Sequence, residues 1–167
     1  MRAPFFVSIP LNCVLIEISY YGVVTLLSLG GNMYQGSCLC GEVEIEIHGP
    51  IQSIIHCHCS KCRKSSGTAY ATNGFVASND FKIKKGQSTL GSFETAAGRK
   101  RHFCSVCASP VYSSNADKPE QIRLRLGILD SDISERPISH NFITSKANWD
   151  DLDADLPRYE AHEPGRR

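Results

Sequence analysis

Apolar and polar residues alternate along most of the chain from residue 34 onward. Val43, Ile45 and Ile47 interleave with Glu42, Glu44, Glu46 and His48, the period-two signature of a strand with one buried face. Gly49-Pro50 stops that run, and residues 51–55 predict a short apolar strand that delivers the chain to His56-Cys57. Residues 60–66 are polar and predict one helical turn or a tight loop, broken at Gly67. Further strand patterns fall at 70–76, around Phe81 and Ile83, at 90–94 and 100–103 on either side of Gly98, and at 111–112, with a turn at Lys85-Gly86. The clearest alternation of the second half sets Ile122, Leu124, Leu126 and Ile128 against Arg123, Arg125 and Gly127, and predicts a strand over 122–128. Residues 139–160 show no period and predict an irregular segment anchored by Trp149 and Tyr159. The last residues, 162–167, read as a polar tail.

Short strands about ten residues apart, punctuated by Gly, Pro and Asn, point to an all-β domain of short antiparallel strands with an irregular C-terminal segment. Neither a sustained 3.6-residue apolar stripe nor a strand–helix alternation is present to suggest a helical bundle or a parallel sheet. A chain of 167 residues can bury a core as one domain. Eighteen Lys and Arg against seventeen Asp and Glu leave a net charge of +1, which argues against a generally basic nucleic-acid binder. The apolar stretch 14–29 is interrupted by Glu17 and several polar or small residues, and falls short of the roughly 20 apolar residues of a membrane span. It also makes a poor leader, with a single basic residue, Arg2, and no small-x-small cleavage site before Tyr34. The expected plan is an N-terminal extension over 1–32, a patterned domain over 33–160 with Met33 as its functional start, and a tail over 161–167.

The cysteines change the picture. Seven of the eight fall into three tight groups: Cys38-Leu-Cys40, Cys57-His-Cys59-Ser-Lys-Cys62 and Cys104-Ser-Val-Cys107. The eighth, Cys13, stands alone and reads as an inert thiol. Disulfide scaffolds space their cysteines so that bridges close sizeable loops, which a bridge within a C-x-C pair does not do. Clustered thiols of this kind read as metal ligands in a reducing compartment, the cytoplasm. The seven divide as four plus three. Cys57, Cys59 and Cys62 can converge on one ion unaided, whereas Cys38 with Cys40 and Cys104 with Cys107 complete a tetrahedron only together. Soft thiolates favour zinc, with iron–sulfur clusters as the rival. His56 or His58 could close the three-cysteine site as a fourth ligand, or only support it through hydrogen bonds. A dithiol redox role for Cys104-Ser-Val-Cys107 lacks the strand–helix context such motifs need.

Three stretches, Gly36-Ser-Cys38-Leu-Cys40-Gly41-Glu-Val43, His56-Cys57-His-Cys59-Ser-Lys-Cys62-Arg63-Lys64 with Gly67, and Arg101-His-Phe103-Cys104-Ser-Val-Cys107, resemble the glutathione-dependent formaldehyde-activating enzyme (Gfa) family, which includes centromere-protein-V-like proteins. His140-Asn-Phe142, Ser145-Lys146-Ala147, Trp149 and Leu156-Pro157-Arg158-Tyr159-Glu160 resemble the C-terminal stretch of its bacterial members. The resemblance implies a zinc-binding β-tent-type domain. It implies one structural zinc on Cys38, Cys40, Cys104 and Cys107, and a second, catalytic zinc on Cys57, Cys59 and Cys62. The implied activity is that of a carbon–sulfur lyase joining a small-molecule thiol, glutathione or similar, to an aldehyde. Two departures stand out: Ala108 where the family commonly has Gly, and Asn148 where it commonly has Pro.

Lys61, Arg63 and Lys64 could offset the charge of a thiolate site or meet a thiol's carboxylates, although a solvated turn explains them as well. The run Arg99-Lys100-Arg101-His102 is equally explained as an exposed strand edge. Lys146 and Trp149 are candidate pocket residues, with core packing the plainer role for Trp149. Two functions compete on these residues. An open three-cysteine site fits a zinc enzyme, and a site closed by a histidine fits a non-catalytic zinc-binding interaction module. Nucleic-acid or membrane partners are not expected.

Overall fold

The computed structural model describes residues 32–151, together with the backbone of two short paired strands, β1 (Ile16–Ile18) and β2 (Val24–Leu26). Cys13, Tyr159 and the tail lie outside the described residues, as does most of the expected N-terminal extension. Among the described residues no helix is long and apolar enough to cross a membrane.

The period-two reading of the sequence is borne out. Tyr34 and Gly36 lie on β3 (Met33–Ser37), and β4 (Glu44–His48) buries Ile45 and Ile47 while presenting Glu44 and His48 outward. β4 pairs antiparallel with β3 and with β7 (Phe81–Lys85), giving a three-stranded sheet. The second sheet has seven strands. They are β5 (Gln52–Cys57), β6 (Ala71–Ala77), β8 (Leu90–Ala96), β9 (Arg99–Cys104), β10 (Pro110–Asn115), β11 (Gln121–Arg125) and β12 (Ser139–Asn141), in the order β12-β5-β6-β11-β10-β9-β8. Among the described residues one α-helix, α1 (Ser60–Ser66), interrupts the strands and ends on Gly67, whose φ of 66° is the left-handed cap that glycine adopts without a Cβ penalty.

Two differences from the expected pattern concern the second half. The strand predicted over 122–128 stops at Arg125. Residues 126–128 turn instead, with the Leu129 N–H donating to the Leu126 carbonyl, and Leu129 then bridges to Gly36 of the small sheet. Leu126 and Ile128 still pack on the core, so the alternation reported burial correctly while the backbone changed direction. The segment after residue 139 is not irregular throughout. Its first residues form β12, which lies parallel to β5 at the sheet edge, with His140 opposite His56 and Asn141 opposite Cys57. Every other strand pair is antiparallel among the described residues. Trp149, expected as an anchor, is 68% exposed and packs in no core cluster.

The main core lies between the two sheets. Tyr34, Val43, Ile45 and Ile47 from the small-sheet side meet Ile51, Ile54, Val76, Val111, Ile122, Leu124 and Ile128 from the large one. Each fully buried aliphatic side chain contributes about 1.5–3 kcal/mol. Cys38 and Cys104 belong to this same cluster. A smaller cluster of Ile55, Cys57, Cys62 and Ala71 forms separately, with Cys59 and Phe75 packed against it. Adjacent residues of a strand point to opposite faces, so Ile54 enters the main core while Ile55 and Cys57 serve the other cluster.

The bridge between sheets depends on Gly36. A Cβ built there would stand 2.5 Å from the Ile128 carbonyl oxygen, a main-chain atom that cannot step aside cheaply. Gly36→Ala is therefore expected to destabilise the fold by about 1–3 kcal/mol, read as a lowered midpoint in urea unfolding. An unchanged midpoint would show that the sheets do not need this close approach.

Candidate functional site

The first cysteine group is built by two tight turns from different sheets. After β3 the chain reverses at Cys38–Val43. The Cys38 N–H donates to the Val43 carbonyl (2.9 Å), the Gly41 N–H to the Cys38 carbonyl (2.9 Å), and the Val43 N–H to Cys38 Sγ (3.2 Å). Between β9 and β10 the Ala108 N–H donates to the Cys104 carbonyl (2.8 Å) and the Cys104 N–H to the Ser109 carbonyl (3.0 Å). Ala108 takes a φ of 61°, a left-handed conformation that favours glycine. Ser109 ties the turns together, since the Leu39 N–H donates to its hydroxyl oxygen (3.1 Å) and Cys107 Sγ lies 3.2 Å away.

The four sulfurs of Cys38, Cys40, Cys104 and Cys107 all lie within 4.8 Å of one another. Cys38 and Cys40 are 3.5 Å apart, and Cys40 and Cys104 3.8 Å. An ion held tetrahedrally by thiolates at about 2.3 Å sets its sulfurs roughly 3.8 Å apart. The group thus fits a metal of zinc's size. The hydroxyl and N–H of Ser109 draw the Cys107 thiol down to about 5, so one ligand is ready as thiolate at neutral pH.

The second group is local. Cys57 ends β5, Cys59 caps α1, and Cys62 sits in the first turn of the helix, its N–H donating to the Cys59 carbonyl (3.0 Å). The three sulfurs lie within 4.8 Å of one another, with Cys57 and Cys59 3.6 Å apart. Burial pushes the Cys57 thiol up to about 12. Burial also acts to raise Cys59, but the Cys62 N–H and the neighbouring thiols outweigh it and hold Cys59 below its ordinary value. All seven thiols are unbridged. Among the described residues no histidine nitrogen or carboxylate oxygen joins either group, so the second offers three ligands and leaves a tetrahedral position for something else.

The histidines considered as a fourth ligand are engaged elsewhere. His56 Nδ1 lies 3.1 Å from the Thr72 hydroxyl. His58 is fully buried, with Nε2 3.0 Å from His140 Nδ1 and Nδ1 3.5 Å from Asp150 Oδ2. Through His140 it ties the end of β5 to β12, while the Nδ1–Asp150 contact is too long for a hydrogen bond. Arg63 folds back to donate to the His58 carbonyl (3.2 Å). Lys146 donates to the main-chain oxygens of Ala147 and Asp150, which closes a turn and keeps it off the walls of the clefts below, as does the exposure of Trp149.

Two arginines that the sequence pattern hid complete the surroundings. Arg101 Nη2 donates to Cys62 Sγ at 3.9 Å. Arg125, read as part of a polar strand face, is 6% exposed; it donates to Asn73 Oδ1 and to the Ser113 hydroxyl (2.9 Å). Burial brings Arg125 down to about 10 and Arg101 adds to this, while Cys62 and Cys57 act in the opposite sense. A cleft of about 480 Å³ opens beside α1, lined by Lys61, Lys64, Phe93, Arg101, His102 and Arg125 among others. A second, hydroxyl-rich cleft of about 730 Å³ shares Pro110 and Arg125 with it and includes Thr68, Tyr70 and Asp150. The run 99–102 therefore divides: Arg99 makes an exposed ion pair with Asp117, while Arg101 and His102 face the cleft.

Residues 33–145 match the model of the family described as glutathione-dependent formaldehyde-activating enzyme. A protein of Halomonas elongata named "Putative glutathione-dependent formaldehyde-activating enzyme" is 29% identical over 131 residues, covering 73% of this chain and 82% of its own. A protein of Aspergillus flavus with the same name is 29% identical over 85 residues, covering 50% of this chain and 43% of the fungal one, so the match spans less than half of that relative. A crystal structure of a Rhodobacter sphaeroides protein superposes with a TM-score of 0.52 at 22% identity, covering 64% of this chain and 98% of that one, and shares the fold.

Burial lowers the pKa of His56, His58 and His102, in each case the largest cause. A depressed imidazole resists protonation in the fold but not in the unfolded chain. Stability should therefore be full above the unfolded value of about 6.5 and fall as pH drops below it, until the folded values are passed. The urea midpoint should be lower at about pH 5.5 than at about pH 7.5, and His102→Gln should make the decline shallower. Equal midpoints at the two pH values would contradict this.

Proposed function

Since the chain belongs to the glutathione-dependent formaldehyde-activating enzyme family, we propose that it is a zinc-dependent carbon–sulfur lyase that adds a small-molecule thiol, glutathione or a close analogue, to formaldehyde or a similar aldehyde. The observation that carries this reading is the three-sulfur group with a tetrahedral position left over, beside a cleft large enough for a ligand. A closed four-ligand site would favour an interaction module instead. Unbridged thiols suit the reducing cytoplasm, which we assign as its compartment.

In this reading Cys38, Cys40, Cys104 and Cys107 hold a structural zinc, and Cys57, Cys59 and Cys62 hold the catalytic one. A zinc ion held by Cys57, Cys59 and Cys62 would supply a Lewis acid that favours the thiolate form of a thiol at neutral pH. The protein does the rest. Cys57 is fixed by its strand and Cys59 and Cys62 by the first turn of α1, so the three sulfurs keep one geometry through turnover. The buried His58, within hydrogen-bond distance of His140, sits between Cys57 and Cys59 and steadies that link. Three thiolates and a divalent ion carry a net charge of −1, and Arg101 and the buried Arg125 offset it. The sulfur lone pair forms the C–S bond to the aldehyde carbon, the carbonyl π pair moves to oxygen, and the proton released by the thiol ends there. Nothing is oxidised or reduced, and the reverse step cleaves the same bond.

The two cysteine groups are expected to separate under substitution. Cys59→Ser should stay folded, carry about half the zinc of the parent protein and show no activity. Cys104→Ser should lose the fold itself, because binding at that site joins the sheets. Elemental analysis with circular dichroism reads both. Exchange of formaldehyde with its glutathione adduct, followed by NMR, should run faster with the parent protein than without it. An uncatalysed rate in the presence of zinc-loaded protein would reject the activity, and equal loss of fold in both variants would reject the division of roles.

A further inference from the structure

We propose that Arg101 binds a carboxylate of the thiol substrate in the cleft beside α1, and so selects anionic thiols. The inference rests on thiol chemistry at Cys57, Cys59 and Cys62, and adds what grips the far end of the thiol. The cleft is about 480 Å³, within the roughly 300–1,000 Å³ of small-molecule sites. Four cationic side chains line it, Lys61, Lys64, Arg101 and Arg125, with Glu94 as the acidic one. Glu94 is tied back to the turn of its own β8–β9 hairpin, where Oε1 accepts from the Gly98 N–H (2.9 Å).

The two guanidiniums are not equivalent. Arg125 is held by Asn73 and Ser113 and serves the sheet. Arg101 places Nη2 on Cys62 Sγ, while its Nη1 is buried with no hydrogen-bond partner among the described residues. Arg101 also lines the cleft and makes no ion pair with a carboxylate among the described residues, so a carboxylate entering the cleft gains a charge-assisted bond to its guanidinium. The same planar group touches a sulfur of the three-cysteine cluster, so a carboxylate held by Arg101 sits close to that sulfur. This geometry suits a ligand that carries a thiol and a carboxylate on one short chain. Lys61 and Lys64 add field from the helix without fixing a position.

The test titrates zinc-loaded protein with S-methylglutathione, whose capped sulfur removes the thiol chemistry, and with its diethyl ester, by calorimetry. The acid should bind the parent protein about tenfold or more tighter than the ester. Arg101→Gln should reduce that preference to about threefold or less, and Arg101→Lys should keep part of it. Circular dichroism and zinc content check each variant. If Arg101→Gln does not fold, the acid–ester comparison on the parent protein and on Arg101→Lys decides. Equal binding of acid and ester, binding of neither, or a full preference in Arg101→Gln would overturn the proposal. Selective binding without accelerated adduct formation would reject the lyase reading and leave this one standing. Acceleration without acid–ester selectivity would do the reverse.

Discussion

Four sulfurs from two sheets meet within 4.8 Å, and the architecture follows from that meeting. Cys38 and Cys40 sit in the turn leaving β3 of the small sheet, and Cys104 and Cys107 in the turn between β9 and β10 of the large one. Cys40 and Cys104 are 64 residues apart in sequence, so an ion shared between them would remove much freedom from the unfolded chain. Thiolates packed this closely repel one another unless an ion or protons neutralise them. Two of the four, Cys38 and Cys104, belong to the main hydrophobic cluster, so sulfur geometry and core packing are one problem.

Once the sheets are clamped, β5 runs along the large sheet with its two faces doing different work. Ile54 enters the core between the sheets. Ile55 and Cys57 lie in the smaller cluster with Cys62 and Ala71, where α1 folds over the strand. The three-cysteine group therefore stands apart from the four cysteines at which the two sheets meet. β12 reinforces the same strand, since the parallel pairing sets His140 where it meets the buried His58.

Charge is handled unevenly around the site. The chain as a whole is almost neutral, yet arginines gather where sulfurs do. Arg125 is buried among Asn73 and Ser113, and Arg101 reaches Cys62 from β9. A buried guanidinium is costly unless paired, and anionic sulfur is costly unless offset, so each makes the other tolerable. Ala108 shows the opposite economy. The turn between Cys104 and Ser109 needs a left-handed residue there, and the chain accepts a Cβ where glycine would relax.

The sequence alone determined what is local. Alternation of Ile and Glu specified the strand at 44–48, because a strand's side chains change face at every residue. The spacing of Cys57, Cys59 and Cys62 specified a cluster, because six residues leave the sulfurs little room to part. Gly67 ended the helix where a left-handed cap was needed. The four-plus-three grouping was also legible, since no pair of cysteines completes a tetrahedron unaided. The rest waited for the tertiary structure. Arg125 reads as an outward strand residue until β6 and β10 close over it. Arg101 and His102 read as an exposed edge until α1 is placed opposite them. Trp149 looked like an anchor by type but lies on the surface, and β12 had no periodic signal because three residues are too few to show one. Burial and pairing between segments far apart in sequence are properties of the closed fold, and a one-dimensional pattern records them only where one element carries both halves of the contact.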